Sequence, residues 1–142
     1  MNRDTVISIA DQVAKLPTIK SFTYISASDV FPCIHPRYIT TKREAESYLF
    51  RKDEFKTIVL RPGIMYNLQR PSVMPIAGAL QLLNAITSPF KSSISSLPGG
   101  KYLTTPPLQT EEVARAVIYG IEREESGIFD IEGIERLSRH PI

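Results

Sequence analysis

The sequence predicts an α/β fold in which a partial parallel sheet is flanked by helices. Two β-prone runs, 21–26 and 56–60, enclose a segment with helical periodicity that begins near Pro36. Two strands separated by a helix of roughly three to four turns form a βαβ unit, which pairs its strands in parallel with a right-handed crossover. A further short strand is predicted at 127–131, after an amphipathic helical pattern. These patterns predict a single, incomplete domain over residues 1–142.

Two further helices are predicted from capping residues and apolar periodicity. The first is predicted to begin at Asp4 or Thr5 and to end at Pro17, which cannot continue a helix. The second is predicted to be capped by Thr110, with acidic residues in the first turn, where the helix dipole favours negative charge. The tail, 137–142, is predicted to fray.

Composition excludes several classes of function. The chain is 42% hydrophobic and 23% charged, which is ordinary for a domain with a buried core. A net charge of +2, without a basic cluster interleaved with aromatic residues, argues against nucleic-acid binding. The single cysteine, Cys33, excludes an internal disulfide. Cys33 and His35 together supply too few ligands for zinc, so no metal site is predicted.

The segment 71–90 contains no charged residue. Prolines and polar residues interrupt it, so a transmembrane span is not predicted. A lid or core helix is favoured over a helix lying on a membrane surface, although apolar content alone is compatible with both. Peripheral membrane contact therefore remains an alternative, and residues 67–108 are predicted to form a small substrate-side subdomain.

The most informative motif is Tyr38-Ile39-Thr40-Thr41-Lys42. Its spacing places the phenol of Tyr38 and the ammonium of Lys42 on one face of a helix. An ammonium stabilises a phenolate, and a tyrosine tuned in this way can exchange a proton with a carbonyl or an alcohol. The alternative is structural: Tyr38 covers the strand ends, and Lys42 is a solvated surface lysine.

The segments on either side of this motif strengthen the functional interpretation. The upstream strand, 22–28, ends in the hydroxyl residues Ser26 and Ser28, and the downstream strand, 57–63, runs into Pro62 and Gly63. A strand ending in serine, then Tyr-x-x-x-Lys, then a strand ending in Arg-Pro-Gly, resembles the short-chain dehydrogenase/reductase family. The resemblance is to its extended and atypical branch, and it implies a Rossmann-type sheet.

The resemblance implies a catalytic role for four residues of this chain. Tyr38 would be the acid/base, and Lys42 would support it. Ser26 or Ser28 would polarise the substrate oxygen. Each of these residues also has a structural interpretation, since serines after strands commonly satisfy loop backbone groups.

The resemblance also implies NAD or NADP as a cofactor. Lys42 would hold the nicotinamide ribose, while Pro62 and Gly63 would let the backbone approach the nicotinamide, since glycine has no Cβ. The family begins with a strand, a glycine-rich turn and a helix that bind the cofactor pyrophosphate. No glycine precedes Gly63 here. The sheet is therefore predicted to lack the N-terminal glycine-rich βαβ half.

Within that branch, four segments resemble two mitochondrial groups: FTYISASDVF, RYITTKREAE, IVLRPGIMYN and EEVARAVIYGIE. One group belongs to fungal coenzyme Q biosynthesis and the other comprises accessory subunits of respiratory complex I. The resemblance implies a mitochondrial localisation, a coenzyme Q synthesis complex as partner, and an oxidoreductase-like function in ubiquinone synthesis. The alternative is a non-catalytic scaffold or accessory protein of a mitochondrial complex, which the missing phosphate-binding turn favours for this chain alone.

Overall fold

The computed structural model describes residues 2–29, 35–67, 78–79, 82, 85–86 and 107–141. Helices and strands with defined bounds lie within these ranges. In chain order they are α1 (Asn2–Val13), β1 (Ser21–Ile25), α2 (Pro36–Leu49), β2 (Lys56–Leu60), β3 (Met65–Tyr66), β4 (Leu108–Gln109), α3 (Thr110–Glu122), β5 (Gly127–Phe129) and α4 (Ile131–Ser138). The α/β class predicted from the sequence is confirmed.

The main sheet has three parallel strands in the order β1-β2-β5. Strand β1 pairs with β2 from Ser21↔Lys56 to Ile25↔Leu60, and α2 is the crossover between them. The predicted βαβ unit is therefore present, because two short β-prone runs flank a helix long enough to return the chain to the start of the sheet.

Strand β2 lies at the centre of the main sheet, and its successive side chains pack alternately in two apolar clusters. Val59 packs in a cluster with buried residues of α1 and α2, while Ile58 and Leu60 pack in a second cluster with residues of α3 and α4. All three side chains are fully buried. Burial of each contributes about 1.5–3 kcal/mol, in keeping with a strand whose last three residues are all apolar.

Helix α3 begins where the sequence predicts, but Thr110 is not its cap. The N-cap is Gln109, whose backbone N–H donates to the Glu112 side chain at 2.7 Å within a capping box. The hydroxyl of Thr110 donates instead to the Tyr66 carbonyl oxygen at 3.1 Å. Thr110 therefore joins α3 to β3, which pairs in parallel with β4 in a small second sheet.

The fraying predicted for 137–142 is wrong for Leu137 and Ser138, which are the last two residues of a helix. Helix α4 extends to Ser138 and buries Ile131, Ile134 and Leu137 against the α3 side of the sheet. The side chain of Asp130 caps it by accepting from the Gly133 N–H at 2.9 Å. The helix is short and follows β5 almost directly, so its first apolar residue was included in the predicted strand.

Other predictions lie largely outside the described residues. Most of the uncharged segment 71–90 belongs to this group, as do Cys33 and most of the predicted subdomain 67–108. Among the helices that the structure describes, none combines the length and apolar character needed to cross a bilayer.

Two glycines should respond oppositely to substitution by alanine. A Cβ on Gly120 of α3 would lie 3.5 Å from Ile58 Cδ1, an ordinary contact, whereas Gly127 has φ +145°, which L residues rarely adopt. We expect Gly120→Ala to raise the free energy of unfolding by about 0.5–1 kcal/mol through helix propensity, and Gly127→Ala to lower it by about 1–3 kcal/mol through backbone strain. Urea denaturation measures both, and the reverse order would contradict the packing described.

Candidate functional site

A buried carboxylate lies where the C-terminal ends of β1 and β2 meet α2. It belongs to Glu46, which is only 2% exposed. The Ser26 hydroxyl, just after β1, donates to Glu46 Oε1. Because a buried charge is costly unless it is paired and hydrogen-bonded, the residues around Glu46 must supply both donors and positive charge.

Two arginines supply that positive charge. Arg43, one turn earlier on α2, places Nη1 2.6 Å from Glu46 Oε1 and donates through Nη2 to the Ala27 carbonyl oxygen at 2.9 Å. Arg61, directly after β2, donates through Nε to Glu46 Oε1 at 3.2 Å and through Nη2 to Glu46 Oε2. The carboxylate therefore links α2 to the segments that follow both strands.

The electrostatic balance at Glu46 favours the ionised form. Burial alone would raise the pKa of Glu46, but hydrogen bonds from Arg61 and Ser26, together with the charge of Arg43, bring the pKa below its ordinary value of 4.5. We call Ser26, Arg43, Glu46 and Arg61 the Glu46 cluster.

Lys42 lies beside this cluster and is also buried, with 8% exposure. Its Nζ donates to the Ile25 carbonyl oxygen at 2.9 Å, at the end of β1. Burial lowers the pKa of Lys42, and the nearby charge of Glu46 opposes that effect. The structural alternative of a solvated surface lysine is therefore wrong for Lys42.

Two tyrosine rings flank the Lys42 ammonium. Its Nζ lies 4.7 Å from the ring centroid of Tyr24 on β1 and 5.7 Å from that of Tyr38 on α2. Distances of this size allow cation–π attraction to both rings. The Tyr24 hydroxyl is buried without a hydrogen-bond partner among the described residues, and burial together with the charge of Glu46 raises the pKa of Tyr24 to about 12.

The structure brings the predicted catalytic residues to one end of the sheet. Tyr38 is 44% exposed, whereas Ser26 and Ser28 are buried. The Ser26 and Ser28 backbone N–H groups donate to the carbonyl oxygens of Leu60 and Pro62, at 2.7 and 2.8 Å. The two serines therefore continue the β1–β2 pairing beyond the strands, and the hydroxyl of Ser26 is directed to Glu46 rather than to solvent.

The predicted cofactor residues fit a dinucleotide poorly. The Lys42 ammonium is directed at the Ile25 carbonyl, and Pro62 already pairs through its carbonyl with Ser28. Gly63 lies after β2 in a non-repetitive segment. No glycine-rich turn occurs in the sequence to hold a pyrophosphate. The catalytic and cofactor roles of these residues remain predictions.

The Glu46 cluster was not identified from the sequence. A signal was present, since Arg43 and Glu46 are three residues apart on one helix face, and Arg61 follows directly after a buried strand. The spacing alone is also typical of an exposed helical pair. What distinguishes it is that Glu46 lies on the same helix face as Lys42, Ala45 and Leu49, which are buried.

No protein-family model matches the chain. Over 120 residues it is 35% identical to MIOREX complex component 2 of Saccharomyces cerevisiae, a match that covers 81% of this chain and 43% of that protein. Over 104 residues it is 30% identical to an uncharacterized chloroplastic protein of Arabidopsis thaliana, covering 69% of this chain and 35% of that protein. The chain thus spans less than half the length of either relative.

These comparisons overturn the assignment to the short-chain dehydrogenase/reductase family. No family model supports it, and neither relative's name describes an oxidoreductase or a protein of ubiquinone synthesis. The motif was a weak basis, since the chain has six tyrosines and a lysine four residues after one of them can arise by chance. The comparisons likewise do not support the expected function in ubiquinone synthesis. They do not support a coenzyme Q synthesis complex as partner either.

The Glu46 cluster should make stability depend on pH in the acid range. Because the pKa of Glu46 is lowered by folding, its contribution is present above pH 4.5 and is lost as the pH falls through the folded-state value. Glu46→Gln should lower the free energy of unfolding at neutral pH by about 3 kcal/mol, since it leaves two arginines without their counter-charge. It should also reduce the loss of stability in acid.

Glu135→Gln provides a matched control. Glu135 pairs at 3.4 Å with Arg139, whose side chain is 78% exposed. An exposed pair of this kind contributes about 0–1 kcal/mol, so this variant should unfold nearly as the native chain does. Urea denaturation between pH 3 and 7 measures both variants. Equal effects of the two substitutions would contradict a special role for Glu46.

The isolated chain should not bind a nicotinamide dinucleotide with micromolar affinity. The Lys42 ammonium already donates to Ile25, and the sequence lacks a turn that could hold the pyrophosphate. Calorimetric titration with NADH and NADPH tests this expectation, with Lys42→Met as the comparison. Micromolar binding that is lost in Lys42→Met would instead assign the ribose contact to this residue.

Proposed function

We propose that this chain is a non-catalytic accessory unit of a mitochondrial multi-protein complex, and that its α/β fold serves protein contacts. The observation that carries the proposal is that polar side chains at the strand ends are hydrogen-bonded within the chain itself. Ser26 would have to reach a substrate and Lys42 a cofactor ribose, but they donate instead to Glu46 and to the Ile25 carbonyl. Their hydrogen bonds secure α2 to the sheet.

The relatives support the partner class in this proposal. The yeast relative is named as a component of a complex, the MIOREX complex. The plant relative is named as chloroplastic. The mitochondrial localisation predicted from the sequence is in keeping with these two organellar proteins. Membership of a multi-subunit mitochondrial complex replaces the coenzyme Q complex as the partner that we propose.

We infer that the three parallel strands are part of a Rossmann-like sheet, because helices pack on both of its faces and α2 connects neighbouring strands. In open sheets of this type, ligands bind beyond the carboxyl ends of the strands. In this chain the Glu46 cluster occupies that position, which supports a structural use of the strand ends.

Two substitutions distinguish an accessory role from a catalytic one. In a host cell that lacks the native gene, a tagged protein carrying Tyr38→Phe should still co-sediment with a high-mass mitochondrial complex and should restore growth. Removal of one phenol oxygen from a 44% exposed side chain changes little else. Glu46→Ala should lose both properties, because it removes the carboxylate that joins α2 to the strand ends.

The measurements are gradient sedimentation of mitochondrial lysate, immunoblotting and growth. Native protein that sediments alone, or outside mitochondria, would contradict the proposed role. Loss of growth in Tyr38→Phe with normal sedimentation would favour catalysis by the phenol. Soluble protein levels, compared between variants, separate a loss of assembly from a loss of folding.

A further inference from the structure

Charge is distributed unevenly between the two helical layers of the sheet. Residues 2–20 and 36–56, which contain α1 and α2, carry nine lysines and arginines and six acidic residues. Residues 108–141, which contain α3 and α4, carry four arginines and eight acidic residues. The two helix pairs pack on opposite faces of the sheet. A charged partner is therefore attracted to one face and repelled by the other.

The basic face contains a groove between α1 and α2, with a volume of about 680 Å³. Two turns of α2, from Thr40 to Tyr48, line it over a length of about 12 Å. Ile7 and the ring of Tyr48 supply apolar lining. The charged residues that line it are three arginines and one glutamate: Arg3, Arg43, Arg51 and Glu44. We call this surface the α1–α2 groove.

Arg51 is the arginine of the groove that is available to a partner. Arg3 Nη1 already lies 2.7 Å from Glu44 Oε2, and Arg43 belongs to the Glu46 cluster. Arg51 is exposed, and within the part of the chain that the structure describes its guanidinium has no carboxylate partner. The guanidinium carbon lies 5.4 Å from the centroid of the Tyr48 ring, beside the apolar lining. Its N–H donors can therefore bind a carboxylate from outside the chain.

We propose that the α1–α2 groove binds a short acidic helix of a partner protein. A carboxylate of that helix pairs with Arg51, and an apolar residue one turn away packs on Ile7 and Tyr48. An amphipathic helix that lies in a groove is a common mode of protein recognition. The inference rests on the proposed accessory role and deepens it, because it names the surface and the chemistry of the partner.

Carboxylates of a protein fit this groove better than the phosphate backbone of a nucleic acid. Glu44 lies in the groove beside Arg3, so a continuous line of phosphates would meet a like charge there. A helix can place one acidic residue beside Arg51 and a neutral residue opposite Glu44. The planar fork of an arginine also matches a single carboxylate through two parallel hydrogen bonds.

Binding of a synthetic helix labelled with fluorescein tests the proposal. The probe carries glutamates and leucines at one-turn spacing, and a second probe has glutamine in place of each glutamate. Fluorescence anisotropy with the full chain should show saturable binding of the glutamate probe alone. Arg51→Gln should weaken that binding roughly threefold to fivefold, the contribution of one exposed charge pair. Arg51→Glu should weaken it roughly tenfold or more, because repulsion replaces attraction. Ser47→Glu, at a second exposed position of the groove, should also weaken it.

Arg123 provides the matched control on the acidic face. It is exposed, and its guanidinium carbon lies 5.7 Å from the ring centroid of Tyr119, as that of Arg51 does beside Tyr48. Arg123→Gln and Arg123→Glu change the net charge of the chain as much as the Arg51 variants do. They should leave binding of the glutamate probe unchanged. A cooperative melt followed by circular dichroism checks that each variant is folded.

Three results with the purified chain would overturn the proposal. The first is the absence of saturable binding of the glutamate probe. The second is an equal loss of binding in Arg51→Glu and Arg123→Glu, which would reduce the effect to net charge. The third is tighter binding of a single-stranded uridine oligonucleotide that is lost in Arg51→Gln, which would assign the groove to RNA.

The same variants in cells separate this inference from the accessory role. Tagged native protein and Arg123→Glu should co-sediment with a high-mass mitochondrial complex, whereas Arg51→Glu, at an equal soluble level, should not. Co-sedimentation of Arg51→Glu to the native extent would overturn the α1–α2 groove as the docking surface and leave the accessory role in place. Native protein that sediments alone would contradict the accessory role itself.

Discussion

The structure depends on the stabilisation of one buried negative charge. Glu46 is almost fully enclosed, and its two oxygens receive hydrogen bonds from Ser26 after β1, from Arg61 after β2 and from Arg43 on its own helix. Removal of a charge from water costs several kcal/mol, so the carboxylate is tolerable only when all of these donors are in place. The requirement couples three chain segments that are distant in sequence and fixes how α2 lies against the strand ends.

The same constraint determines what the neighbouring residues can do. Lys42 is on the buried side of α2. Its ammonium donates a hydrogen bond to the carbonyl oxygen of Ile25, the last residue of β1, and lies near the rings of Tyr24 and Tyr38. These contacts are all within the chain, so they give the Lys42 side chain a structural role. The Tyr38 ring is the most accessible of the group, and it covers the lysine. The strand ends, where open α/β sheets bind ligands, are therefore occupied by the protein's own polar groups. The accessory role that we propose follows from this arrangement.

The main elements could be predicted because local patterns determine them. The two apolar runs that became β1 and β2, and the helical segment between them, specify a parallel pair without further information. Helix α4 was missed since it has only eight residues and follows β5 after Asp130 alone. The Glu46 cluster could not be predicted, because the burial of a helical glutamate depends on segments brought together only by folding. The Tyr38–Lys42 pair was found by spacing, but spacing did not reveal that Lys42 is committed to Ile25.

A double-mutant cycle between Glu46 and Arg61 tests the account most directly. Unfolding free energies of the native chain, Glu46→Gln, Arg61→Met and the double variant would be measured by urea denaturation at neutral pH. If the carboxylate and the guanidinium act as one unit, the two substitutions are not additive, and the coupling free energy is at least about 1 kcal/mol. Additive losses, with a coupling free energy below about 0.3 kcal/mol, would show that the buried pair does not hold α2 to the strand ends and would contradict the account.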